Sequence, residues 1–257
     1  MKLAHLTWQD VRDLSRDTLV VIPTGSIEQH GPHLPLVTDT MLATAVAEGA
    51  EKTVSDWMLL TPTLWLGASL HHLPFPGTLS ASFEGYQQAL WDVLESLAGH
   101  GFHRFFLVNG HGGNTSVNNI TLRKWKHLNP SHTVGNIDYY ELIPDDLLKE
   151  NVRGPSKEIH HACEIETSLM LHVAPKLVRM DVVRDDGLKA EEPVRGVVWN
   201  YDEVTEDGPW GYSSLGSAEL GALLFESAVE KLTELLVAVA SGFSLVGIQE
   251  LEVEPVP

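Results

Sequence analysis

Short apolar runs alternate along the chain with longer segments in which apolar residues recur every three or four positions. The runs predict buried strands at residues 18–23, 58–62 and 104–108. The helical spacing predicts helices at residues 39–53, 86–97, 115–128, 159–175 and 217–240. Thr38 or Asp39 is the predicted N-cap of the first helix. This alternation indicates a mainly parallel sheet covered by helices.

The remaining segments show neither period. Loops are predicted at residues 66–80 and 151–157, and residues 249–257 are predicted to form an exposed acidic tail. Residues 185–216 are irregular and rich in Gly, Pro and acidic side chains, which suits a lid or an oligomer contact. Since no repeat or linker divides the chain, we expect one domain over residues 1–257.

Composition narrows the classes of function. The 257 residues are 43% hydrophobic and carry a formal net charge of −18. That charge argues against a nucleic-acid partner and disfavours an anionic membrane surface. No stretch approaches the roughly 18 apolar residues of a membrane span, and the N-terminus lacks the apolar segment of a secretion signal. One cysteine, Cys163, allows no intramolecular disulfide, so we expect a cytoplasmic protein.

The stretch TGSIEQHGPHLP, after the first strand, gathers unusual chemistry. Glu28 and His30 are two positions apart, so in an extended segment both side chains project from one face. Asp39 follows at the start of the next helix. Carboxylate and imidazole together suit zinc, manganese or iron. Hydrogen bonding of Glu28 and His30 to the loop backbone is an equally good interpretation of this stretch alone.

A second strand-end loop favours the metal. His111 lies within NGHGGN, directly after the apolar run at 104–108. Ligands of open parallel sheets bind beyond the carboxyl ends of the strands, where both loops are expected. The alternative is a phosphate-binding loop of a nucleotide-binding α/β protein. NGHGGN lacks both the dinucleotide fingerprint and the lysine of a Walker loop.

A third cluster, HHACEIET, falls in the helix predicted at 159–175. On that helix His161 and Glu164 would share a face, as would Ala162 and Glu166. Burying Glu164 or Glu166 requires a cation or a donor, and we expect at least one of them to face solvent. Cys163, predicted in mid-helix, has no activating neighbour and is expected to serve packing.

Taken in order, TGSIEQHGPHLPLVTDT, FPGT, VNGHGGN and HACEIETS resemble the creatininase (creatinine amidohydrolase) family, and AELG at 218–221 extends the resemblance. The resemblance implies a three-layer α/β/α sandwich with a mostly parallel sheet. It also implies two divalent metal ions (Zn, Mn or Fe) and a homo-oligomer, commonly a hexamer. By the same resemblance Asp39 bridges the metals, Glu28 and His111 complete one ligand set, His30 binds the other ion, and His161 moves protons at the reacting carbon and leaving nitrogen.

One departure from the family pattern bears on the substrate. Creatinine-hydrolysing members carry a glutamate where this chain has Gly113, and Glu166 is the candidate for the missing ligand. The HGGN form resembles members that hydrolyse formamides or process small peptides. We therefore expect a small-molecule amidohydrolase that cleaves a non-peptide C–N bond, in a cyclic amide or formamide, with a hydroxide between two metals. The alternatives are a peptide-processing member and a binding protein with less metal and no turnover.

Three further residues are candidates for substrate binding. His72 precedes FPGT and is expected to line the site. Asn114 follows the glycines of NGHGGN, where its amide either contacts a substrate oxygen or holds the helix N-terminus. Trp210 lies in the irregular GPWGY segment and is expected to close over a planar substrate. A purely structural role is an equal alternative for each of them.

Overall fold

The centre of the fold is a parallel sheet of four strands, counted within the residues that the computed structural model describes, which are 1–185, 194 and 196–242. The strand order is β2-β1-β3-β4. The strands are β1 (Leu19–Thr24), β2 (Met58–Leu60), β3 (Arg104–Asn109) and β4 (Thr133–Asp138). All three neighbouring pairs run parallel, so the carboxyl ends of β1 and β3 meet at one edge.

Helices cover both faces of the sheet. Their bounds are α1 (Trp8–Asp13), α2 (Thr38–Val54), α3 (Phe83–Gly99), α4 (Gly112–Leu128), α5 (Asp145–Asn151), α6 (Glu164–Val173), α7 (Tyr201–Val204) and α8 (Ala218–Ala240). Alternate strand residues enter opposite core layers: Leu19 and Val21 pack with α2, α6 and α8, whereas Val20 and Ile22 pack with α3 and α4. The predicted three-layer α/β/α sandwich is confirmed.

The predicted strands and most predicted helices are confirmed within a few residues, but the predicted cap of α2 is wrong. Thr38 and Asp39 both lie inside the helix, and the N-cap residue is Val37, which makes no side-chain cap. The Thr38 hydroxyl instead donates to the carbonyl of Pro35 at 2.7 Å. Asp39 is directed at two histidines, so its carboxylate is not available to the helix terminus.

The helix predicted at 159–175 is wrong at its start. It begins at Glu164, with Cys163 as its N-cap residue rather than in mid-helix. Ala162 has a φ of 53°, in the left-handed region that a helix cannot include. Ala162 donates its backbone N–H to the carboxylate of Glu166, which helps to hold this turn. His161 and Ala162 therefore precede the helix, and neither shares a helical face with a glutamate.

Other differences are smaller. The edge strand β4 and the short helices α1 and α5 were not predicted. The irregular segment at 185–216 contains the one-turn helix α7, whose N-terminus has a capping box between Asn200 and Glu203. The predicted acidic tail at 249–257 lies outside the described residues. Over the described part of the chain, no helix has the length and apolar character to cross a membrane.

The packing of α6 on α8 depends on a small residue. A Cβ at Gly221 would lie 1.9 Å from the carbonyl oxygen of Ser168. We expect Gly221→Ala to lower the free energy of unfolding by about 1–3 kcal/mol, because α6 would have to move away from α8. Gly99→Ala is the control, since nothing lies within 4 Å of its Cβ position. Equal urea midpoints for the two variants would contradict this account of the interface.

Candidate metal centre

Two strand-end loops and one helix bring the predicted ligands together. Glu28 and His30 follow β1, His111 follows β3, and Asp39 lies in the first turn of α2. His30 Nε2 lies 2.9 Å from Asp39 Oδ1, and His111 Nδ1 lies 3.1 Å from Asp39 Oδ2. His111 Nδ1 is also 3.2 Å from Glu28 Oε2. These four of the five predicted ligands therefore form one connected cluster.

These side chains and Glu166 form two possible ligand groups that share Asp39. One group is Glu28, Asp39 and His111, and the other is His30, Asp39 and Glu166. Within each group, one donor atom from every residue lies within 4.8 Å of the others. The arrangement matches the ligand sets that the family resemblance implies, with Glu166 in place of a side chain at residue 113.

His30 and His111 each turn one particular ring nitrogen toward the carboxylates. His30 Nδ1 donates to the backbone carbonyl of Glu28 at 3.1 Å, which leaves Nε2 toward Asp39. His111 Nε2 lies 3.4 Å from the carbonyl of Ala68, which leaves Nδ1 toward the carboxylates. A carbonyl partner behind a ligand histidine fixes the ring and its tautomer.

The three buried carboxylates of the cluster favour the binding of cations. Glu28, Asp39 and Glu166 are 1%, 2% and 6% exposed. They line a cavity of about 270 Å³, and none of the described residues that line it is a lysine or an arginine. Burial raises the pKa of Glu166 to about 7. Burial would lower the pKa of His30, but the charge of Asp39 outweighs it and raises that pKa to about 10. Without metal, the histidines thus supply the positive charge.

The donor set fits divalent metal ions. Asp39 Oδ2 is buried and accepts no well-directed hydrogen bond from any described residue. Unsatisfied buried carboxylate oxygens are costly, and coordination to a metal satisfies them. Carboxylates with imidazoles suit zinc, manganese or iron. Glu28, Asp39 and His111 would hold one ion, and His30, Asp39 and Glu166 the other.

Glu164 and Glu166, both buried, have different surroundings. Glu166 faces the cavity from the first turn of α6. Glu164 accepts the backbone N–H groups of Arg153, at 2.9 Å, and Gly154, at 2.7 Å. Both carboxylates are buried, so the expectation that at least one of them faces solvent is wrong. Backbone N–H groups of the preceding loop compensate the burial of Glu164.

Residue 113 has no room for a side chain. A Cβ there would lie 2.4 Å from His111 Nε2 and 2.5 Å from the carbonyl oxygen of Ala68. Contacts under 3 Å with a ring and with backbone cannot be relieved by a rotamer change alone. A glutamate at residue 113, as in creatinine-hydrolysing members, therefore does not fit the present backbone conformation.

His161 and His72 stand at the edge of the cluster. His161 Nδ1 lies 3.7 Å from Glu28 Oε1, and His72 Nε2 lies 3.2 Å from the same oxygen. Burial, reinforced by the charge of His30, lowers the pKa of His161 well below its usual value. Burial also lowers the pKa of His72, with the neighbouring His161 adding to the effect. Both imidazoles are therefore neutral near pH 7.

Asn114 is buried but is not one of the cavity-lining residues. Its amide donates to the carbonyl of Gly25 at 3.0 Å, and its Oδ1 accepts the N–H of Ala68 at 2.9 Å. These bonds tie the loop after β1 to the loop at residues 66–80. A contact of Asn114 with substrate stays a prediction.

Trp210 lines the entrance of a cavity of about 270 Å³ above the cluster. Its ring stacks on His160 with centroids 5.4 Å apart and planes at 9°. On the far side of this pair lies a second cavity of about 780 Å³, which shares His160 and Trp210 as walls. The stacked pair is therefore a wall of both cavities; the smaller one, which contains the carboxylate and histidine cluster, is called the inner cavity and the larger one the outer cavity.

Several lining residues escaped the sequence reasoning. His71, Tyr140, His160 and Tyr201 all line the inner cavity. Tyr201 stacks on His72 with centroids 4.0 Å apart, although it lies in the irregular segment where no pattern marks it. His71 and His160 directly precede the predicted site histidines His72 and His161. Their position next to those residues is the sequence feature that could have indicated a place in the site.

Known proteins resemble this chain over most of its length. A family model described as "Creatininase: Creatinine amidohydrolase" matches residues 4–236. The mycofactocin precursor peptide peptidase of Mycobacterium tuberculosis (strain ATCC 25618 / H37Rv) is 34% identical over 234 residues, 82% of this chain and 81% of that protein. The 3-dehydro-scyllo-inosose hydrolase of Thermotoga maritima is 30% identical over 180 residues, which are 68% of this chain and 57% of that protein.

Solved structures agree with the family model. The structure described as "Creatininase Mn" is 25% identical, with a TM-score of 0.80 and coverage of 91% of this chain and 96% of its own. A mutant creatininase described as "Zn-Zn type" is 26% identical, with a TM-score of 0.79 and the same coverage. Manganese and zinc are thus named for structural neighbours of this chain.

The ligand assignment predicts the metal content of three variants. Asp39→Ala should lose both ions and all turnover, because both ligand groups include Asp39. Glu166→Gln should lose one ion. Glu164→Gln is the matched control and should keep both, although it should unfold at a lower temperature because one of two backbone donors loses its acceptor. Metal analysis after dialysis measures this, and an Asp39→Ala variant with full metal content would end the assignment.

Metal binding should also release protons. Near pH 7 His30, with a pKa of about 10, and His111, whose pKa the charge of Glu28 raises against the effect of burial, carry protons in the metal-free protein. Metal binds the neutral imidazole, so two ions should displace about two protons and bind more tightly as pH rises. Titration calorimetry in buffers of different ionisation enthalpy counts them. Equal heats in every buffer would contradict the expectation.

Proposed function

Because this chain belongs to the creatininase family, we propose that it is a metal-dependent amidohydrolase that cleaves a non-peptide C–N bond in a small cyclic amide or a formamide. The observation that carries the proposal is the pair of ligand groups sharing Asp39 at the floor of a cavity that also exposes His161. A single-domain protein over residues 1–257 and a homo-oligomeric, cytoplasmic state remain predictions from the sequence.

The metal ions would be zinc, manganese or iron. Divalent ions bound there supply Lewis acidity toward a carbonyl oxygen and a nucleophilic hydroxide near neutral pH. The chain's own contribution is to hold the carboxylates of Glu28, Asp39 and Glu166 close together and away from bulk water. It also confines the substrate to an inner cavity of about 270 Å³, which suits a small molecule.

His161 is the residue assigned to proton transfer. Being neutral near pH 7, it can accept the proton given up by the attacking water at Nδ1, the nitrogen nearer to Glu28. It then delivers that proton to the departing nitrogen. Amide hydrolysis needs this step because an amide anion is a very poor leaving group.

Creatinine itself is not the favoured substrate. Creatinine-hydrolysing members of the family carry a glutamate at the position of Gly113, and this loop leaves no space for it. Glu166, on α6, would supply a ligand of the second ion together with His30 and Asp39. A formamide or another cyclic amide therefore fits the proposal better.

The outer cavity favours a second candidate, the processing of small peptides. It adjoins the inner cavity through His160 and Trp210 and has nearly three times its volume. A substrate longer than the inner cavity would extend past this pair. The relative named as a peptide peptidase, at 34% identity, supports the same candidate.

A substrate panel tests both candidates. Metal-loaded protein should hydrolyse a member of a panel of formamides, cyclic amides and short peptides, and chelator-treated protein should not. Turnover of formamides or cyclic amides supports the first candidate, and turnover of peptides alone supports the second. Zero or one bound ion, with no turnover of any panel member, would favour a binding protein of the same fold.

The role of His161 is tested with the best panel substrate. We expect His161→Asn to lower kcat by about 10²–10⁴-fold, the usual contribution of a general acid–base group, while both ions stay bound. His127→Asn is the matched control, because His127 is exposed on α4. If His161→Asn turned over as fast as the control, proton transfer would have to be assigned to another group.

A further inference from the structure

We propose that Gln29 and His72 form a relay, a hydrogen bond followed by a close polar contact, that orients the carboxylate of Glu28, so that both act as positioning residues for the metal centre rather than as substrate-binding groups. This inference rests on the proposed role of Glu28 as a metal ligand. It concerns a chain of three buried side chains, Gln29, His72 and Glu28, which are all 5% exposed or less.

The orientation of the Gln29 amide follows from its two backbone neighbours. The N–H of Gly31 can only donate, so the atom that it meets at 2.9 Å is Oε1. The carbonyl of Gly208 can only accept, so the atom 3.3 Å from it is Nε2. The backbone N–H of Gln29 is itself anchored on the Thr78 hydroxyl at 3.1 Å. The amide is therefore fixed with its NH₂ group toward the histidines.

This amide determines the tautomer of His72. Gln29 Nε2 lies 2.8 Å from His72 Nδ1 and has only protons to offer, so Nδ1 must be the unprotonated nitrogen. The proton of the neutral ring is then on Nε2, which lies 3.2 Å from Glu28 Oε1. His72 thus turns its N–H nitrogen toward Glu28 in this contact, and Gln29 fixes which ring nitrogen carries the proton.

The same residue also fixes His161. His161 Nε2 lies 2.6 Å from the backbone carbonyl of Gln29, which can only accept, so Nε2 carries the proton. It also lies 2.9 Å from Gln29 Nε2, but the two amide protons have acceptors in His72 Nδ1 and the Gly208 carbonyl. Nδ1 of His161 is left unprotonated toward the cavity. One residue therefore orients both the carboxylate and the proton-transfer group.

The other oxygen of Glu28 remains for the metal. Oε2 accepts from the Ser26 hydroxyl at 3.0 Å and faces His111 Nδ1 at 3.2 Å, on the side of Asp39. With Oε1 held by His72, the carboxylate plane cannot rotate freely. Mutation of such an outer-shell partner of a ligand typically weakens metal binding by about 10–100-fold.

The first test is spectroscopic and uses the full-length, metal-free protein. Nitrogen-15 spectra of the histidine side chains should show His72 as the Nε2–H tautomer, assigned by its loss in His72→Phe. In Gln29→Glu, an acceptor replaces the NH₂ group, and His72 should gain a proton at Nδ1. A wild-type His72 protonated at Nδ1 would overturn the relay whatever the stability of any variant.

The second test measures affinity for Zn²⁺ alone by competition with a chelator. Gln29→Leu and His72→Phe should each weaken binding about 10–100-fold, and the double variant should bind no more weakly than His72→Phe, because both act through one chain. Additive losses, or wild-type affinity in Gln29→Leu, would overturn the relay. Absence of Zn²⁺ binding by the wild-type protein would instead overturn the proposed function.

Discussion

This protein is built around three carboxylates that are buried in one cavity, where no described wall residue is a lysine or an arginine. Glu28, Asp39 and Glu166 cannot remain ionised there without nearby positive charge. In the metal-free protein the imidazoles of His30 and His111 supply it, which is why the pKa values of both are raised. Divalent ions would replace those protons with a larger charge and would coordinate the Asp39 oxygen that accepts no well-directed hydrogen bond from any described residue.

The fold meets this constraint through the geometry of a parallel sheet. β1 and β3 are neighbours and end at the same edge, so the two loops that follow them converge. Asp39 lies in the first turn of α2, where the helix dipole also favours a negative charge. Beneath the loops, Asn109 donates to the carboxylate of Asp138 at 2.8 Å and to the carbonyl of His111 at 2.6 Å. The ligands thus rest on buried polar contacts as well as on apolar packing.

Much of the framework followed from the sequence because strands buried on both faces are continuous apolar runs, as in β1 and β3. β4 escaped detection because it is a half-buried edge strand, with Gly135 and Asn136 in place of apolar residues. The start of α6 was misplaced because periodicity cannot show a left-handed Ala162. At the site, strand-end positions and the family resemblance marked Glu28, His30, Asp39 and His111. They could not mark Tyr201, which tertiary folding alone brings onto His72.

The proposed ligand Glu166 links the geometry of the metal site to the packing of α6. Residue 113 is closed to any side chain by His111 and by the backbone of Ala68, so a second ligand set requires another element. Glu166 on α6 has a carboxylate oxygen within 4.8 Å of ligand atoms of His30 and Asp39. Helix α6 packs against α8 where Gly221 contacts Ser168. The position of Glu166 relative to Asp39 therefore depends on helix packing outside the cavity. A ligand at residue 113 would be supplied by the first turn of α4, whereas this arrangement couples the proposed second ion to the layer formed by α2, α6 and α8.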